Sequence, residues 1–121
     1  MSHLVTVQTK VHDPIAVAAA CQRLGLAPPV HGRAELFSGA ATGLLLQLPD
    51  WQFPVVIDTL SGSIQFDNYD GAWGDQAYFG LFLQRYAVEK ARLEANKHNH
   101  RVTEELLQDG SIKLQIIEAG G

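Results

Sequence analysis

Three aspartates fall close together in this chain, Asp67, Asp70 and Asp75, with Asn68 beside the first and a helical stretch following the last. Carboxylates grouped in front of a helix are the residue types of a calcium loop or of a paired general acid and base. The spacing fits neither. With Gly71 as the turn glycine of a calcium loop, the first ligand would be Phe66 and the closing bidentate residue Ala77, and neither side chain carries an oxygen. The acids and Asn68 are expected instead to bond their own backbone, with Asp75 capping the helix. What the segment does hold is two large rings, Tyr69 and Trp73, beside Gly71 and Gly74, the composition of a recognition surface. The expected site is therefore a binding loop of Tyr69, Asp70 and Trp73, with no catalytic residue and no metal ligand.

The remaining reactive side chains add no second site. His98 and His100 flank Asn99 and could share a metal in an extended segment, but no cysteine or nearby carboxylate completes a tetrahedral set. A helix C-terminus, which favours imidazolium, accounts for them. His3, His12 and His31 are dispersed, and Cys21 falls on an apolar helical stripe, where a thiol packs as a small hydrophobe. There is no Gly-x-Ser-x-Gly elbow and no glycine-rich loop opening a helix, so no cofactor is expected. The closing Gly120-Gly121 has the slender form of a carrier protein's tail, with Gly121 as the residue to be activated. A strand and a helix come first here, whereas such carriers open with a hairpin.

The elements that must position these residues are legible from periodicity. Asp75 caps a helix running to about Lys97, on which Phe79, Phe82, Leu83, Tyr86 and Leu93 form one apolar stripe. The other face is polar, with Arg85 and Glu89, and Lys90 and Glu94, at i, i+4. A first strand alternates through Leu4 to Val11. Asp13 and Pro14 then open a helix with Val17, Ala20, Cys21 and Leu24 on one stripe, ended by Gly25. Arg33 to Phe37 and Gly43 to Leu48 read as strands joined by residues 38–42, and Pro54 to Asp58 with Ser63 to Phe66 as two more. Val102 to Leu107 and Ser111 to Ile117 flank the turn residues Asp109-Gly110. Two helices among many strands predict a single α+β domain over residues 1–121, an antiparallel or mixed sheet with both helices packed on one face.

Composition bounds the function. The 121 residues are 46% hydrophobic and 18% charged, ordinary globular usage, and a formal charge of −4 with scattered Lys and Arg offers no surface for a phosphate backbone. Nucleic acid is not expected as a partner. No apolar run reaches membrane-spanning length, and no basic stretch followed by an apolar one opens the chain, so a cytoplasmic protein is expected.

Met1-Ser2-His3 before a β-α unit, Trp73-Gly74 before the long helix, Gln84-Arg85-Tyr86-Ala87 within it, and Asp109-Gly110-Ser111-Ile112 in the hairpin resemble the domain-of-unknown-function family 1257 (DUF1257). That family includes a hypothetical reading frame of algal plastids and its bacterial relatives. The resemblance covers most of the chain, most loosely from about Pro28 to Ile57. It supports the α+β fold and carries no catalytic residue. The expectation is a non-enzymatic binding or adaptor module, a homo-oligomer, meeting a protein partner or small ligand through Tyr69, Trp73 and a sheet face. The alternatives are a small enzyme assembled from distant polar residues and a carrier using Gly121.

Overall fold

Both helices begin and end on local hydrogen bonds that their sequences supply, as a computed structural model describing residues 4–118 shows. α1 (Pro14–Arg23) starts at Asp13, whose carboxylate accepts from the amides of Ile15 and Ala16. It stops where Gly25 turns to φ 72°. There the Gly25 amide donates to Gln22 and the Leu26 amide to Cys21, closing the last turn on otherwise orphaned carbonyls. α2 (Gln76–Lys97) starts at Asp75, which accepts from the Ala77 amide, and stops at Asn99 with φ 58°. The amides of Asn99 and His100 donate to Asn96 and Ala95. His98-Asn99-His100 is thus a helix stop, with asparagine in the left-handed position that glycine takes after α1.

The strands are β1 (Leu4–Gln8), β2 (Val30–Leu36), β3 (Gly39–Leu46), β4 (Val55–Asp58), β5 (Ser63–Asp67), β6 (Arg101–Leu106) and β7 (Ile112–Ile117). The first five form one antiparallel sheet in the order β1-β5-β4-β3-β2, and β6 and β7 form a separate two-stranded sheet. The fold is α+β, with both helices on one face of the five-stranded sheet. Ala16, Val17, Ala20 and Cys21 of α1 and Phe79, Phe82 and Tyr86 of α2 are buried together against Leu46, Val55, Ile57, Ile64 and Phe66. Strand alternation turns Val56, Leu45, Ala41, Ala34, Leu36 and Leu4 to the opposite face, where they join Phe53 in a second, smaller cluster.

Three local expectations need correction. Gly39-Ala40-Ala41-Thr42 is not a loop: β2 and β3 meet across Phe37-Ser38, with Ala34 paired to Ala41. Burial of both alanines in the second cluster overrides the weak strand preference of small residues. The buried stripe of α2 is Phe79, Phe82 and Tyr86, while Leu83 stands half-buried at its margin. There it lines an apolar groove of about 510 Å³ between residues 8–11 and α2. Glu89 does not pair with Arg85. It meets Arg23 of α1 at 3.1 Å, because the face of α2 beside α1 is occupied and not solvated.

Candidate functional site

The candidate loop is held by Asn68, the first residue after β5. Its carbonyl accepts from the amides of Gly71 (3.0 Å) and Trp73 (2.9 Å), and its buried side-chain amide donates to the Gly74 carbonyl (3.2 Å) and Gln76 Oε1 (3.0 Å). These bonds wind Tyr69–Gly71 into one 3₁₀ turn, with Tyr69 and Asp70 both left-handed at φ 47° and 51°. Aspartate tolerates this region better than tyrosine does, and two such residues in succession persist only where surrounding bonds over-determine them. From the other side the Gln52 amide donates to the Trp73 carbonyl (2.8 Å), and Trp51 Nε1 donates to the Asp75 carbonyl (3.0 Å).

Gly74 is the point of closest approach. A Cβ there would stand 2.3 Å from the Trp51 ring, so this glycine admits the indole and does not loosen the loop. Gly71, at φ 100° with open space around it, is the conformationally required glycine.

Tyr69 and Trp73, expected at the site, stack with ring centroids 4.7 Å apart. Two residues not anticipated complete the group: Phe37 at the β2–β3 turn and Phe53 before β4 lie 5.0 and 5.7 Å from Trp73. Trp73 is half-buried among these rings, whereas Tyr69 is 44% exposed and Phe37 61% exposed. A phenylalanine at a turn apex was the available signal for Phe37. Its proximity to Trp73 depends on the sheet, which places residues 36 positions apart side by side.

Asp70 is exposed beside the rings. Asp67 lies apart from it, 1% exposed at the end of β5 and paired across the sheet with Leu4. Neither of its carboxylate oxygens has a hydrogen-bond partner among the described residues. Asp75 is taken up by the α2 cap. The three acids therefore do not converge, and among the described residues no three His, Cys, Asp or Glu side chains are grouped as a metal site would need. His98 and His100 have ring centroids 5.8 Å apart at the end of α2. Cys21 is wholly buried, and burial pushes its thiol up to about 11, away from the nucleophilic thiolate. His3 and the Gly120-Gly121 tail lie outside the described residues.

No family model, curated protein or solved structure matches the chain.

The polar groups that do converge sit elsewhere, between α1, α2 and β6. Glu104 is held by two nitrogens of Arg23 and by Arg92 (2.6 Å), and Arg23 also reaches Glu89. The Arg23 hydrogen bonds keep the Glu104 carboxyl below the usual carboxylate range against the opposing effect of its burial. Lys90 bridges Asp13 (3.0 Å) and Glu94 (2.8 Å). Burial pushes the Asp13 carboxyl up, but Lys90 and the Ala16 and Ile15 amides outweigh it, leaving it below the usual range. Each acid here is matched by a base, so the cluster joins elements and offers no free general acid or base.

Among the described residues no helix is long and apolar enough to cross a membrane.

Proposed function

We propose that this chain is a non-enzymatic cytoplasmic binding module that associates with itself and meets a protein partner through the surface of Phe37, Phe53, Tyr69 and Trp73. The resemblance to DUF1257 is part of this reading, since Trp73-Gly74 lies within the loop it invokes. The supporting observation is that the exposed rings of Tyr69 and Phe37 flank the half-buried Trp73, on a loop whose backbone is pinned at both ends. Grouped exposed rings mark interaction surfaces, and a rigid loop loses little conformational freedom on binding. Asp70 supplies a charged rim beside them.

A photo-crosslinking residue placed at Asp70 in the native cell should capture one discrete partner, while the same residue at Leu60, itself 94% exposed, should not. Trp73→Ala should weaken that association by more than about 1 kcal/mol. Equal capture at the two positions, or capture indifferent to Trp73→Ala in a folded variant, would refute the reading.

A further inference from the structure

We infer that β6 pairs antiparallel with β6 of a second copy across a two-fold axis through Thr103, joining two hairpins into a four-stranded sheet. This rests on the self-association proposed above and assigns it a surface. The β6–β7 hairpin belongs to neither hydrophobic cluster, although one of its faces carries Val102, Leu106, Ile112, Leu114 and Ile116. Leu106 is 70% exposed and Ile116 48%. A two-stranded hairpin is marginal in water, and its free edges are templates for a further strand.

The edge chemistry selects the register. The Leu107 amide donates to the Ser111 carbonyl, and antiparallel alternation from that pair turns the backbone groups of Val102, Glu104 and Leu106 away from β7. A two-fold at Thr103 sets Val102 opposite Glu104 of the second copy, where those outward groups bond. It also sets Arg101 opposite Glu105 of the second copy, at the closer non-hydrogen-bonded spacing. Both pairs occur twice by symmetry. Arg101 and Glu105 are exposed and neither makes an ion pair among the described residues, although Glu105 lies opposite Lys113 across the hairpin, so the pairing adds an opposite-charge contact to each. Glu104 is already neutralised by Arg23 and Arg92. Moving the axis to Glu104 sets that residue against itself and Arg101 against Leu107. On the β7 edge, an axis at Leu114 sets Lys113 against Gln115 and makes no charge pair.

Sedimentation velocity on the full chain over a dilution series tests this. The wild type should show a concentration-dependent dimer. Arg101→Glu and Glu105→Arg should each raise the dissociation constant about tenfold or more, since each places like charges opposite one another. The double swap, Arg101→Glu with Glu105→Arg, should restore it, and the two single variants mixed should dimerise with each other. Both substitutions lie on the outer face, so unchanged circular dichroism checks the fold. A wild type monomeric throughout would overturn both the self-association and this interface. A dimer indifferent to the charge swaps would overturn the interface alone.

Discussion

Asp67 is the residue whose surroundings fit its chemistry least. A carboxyl group that is 1% exposed, with no hydrogen-bond partner for either oxygen among the described residues, loses its hydration without a matching bond there. Its position at the end of β5, one residue before the Asn68 bonds that shape the ring loop, makes it a local weakness in the fold. Asp67→Val, which suits a strand and removes the unpaired oxygens, should raise stability by about 1–3 kcal/mol in chemical denaturation. A destabilised variant would show that Asp67 makes an interaction its burial conceals. Gly74 illustrates a different limit on reading single residues: its neighbours mark it as part of a recognition loop, and the fold uses it for contact with Trp51, a residue 23 positions earlier.

At the scale of elements, α2 separates what periodicity specifies from what packing adds. The stripe Phe79, Phe82, Leu83 and Tyr86 follows from spacing alone, but spacing does not say which member lies at the centre. Phe82 is wholly buried between α1 and the sheet, and Leu83 faces the open groove beside residues 8–11. Phe82→Ala should therefore cost about 3–5 kcal/mol, whereas Leu83→Ala should fall below the 2–5 kcal/mol of a fully buried leucine. Equal losses in melting experiments would mean that the groove closes over Leu83 in solution. The caps behave differently. Asp13, Asp75, Gly25 and the Asp109-Gly110 turn were identifiable because each acts within a few residues of itself.

At the scale of the molecule, a five-stranded sheet carries a large cluster on its helix face and a small one on the other, and the ion pairs of Glu104 tie the hairpin to α1 and α2. Arg23 and Arg92 hold Glu104 on the inner side of β6, and Gln84 reaches the Gly110 carbonyl at the hairpin tip (3.2 Å). Glu104 titrates below the usual carboxylate range in the folded chain, so its ion pairs contribute fully above that range. The contribution is lost as pH falls through the lowered folded value. Native-state hydrogen exchange should show Val102 to Ile116 opening before β4 and β5, with the gap widening as the solution is acidified below the carboxylate range. Hairpin amides as protected as those of Ile57 and Ile64, at both neutral and acid pH, would contradict this.

The amino-acid sequence by itself determined the α+β class, the two helices with their starts and stops, and the Tyr69–Trp73 loop, because caps, turns and apolar periodicity are properties of neighbouring residues. The strand order, the separation of β6–β7 from the main sheet, the gathering of Phe37 and Phe53 around Trp73, and the meeting of Arg23 with Glu104 were decided only in three dimensions. Each brings together residues from distant positions, and a hydrophobic pattern says which face a residue takes but not which segment lies against it.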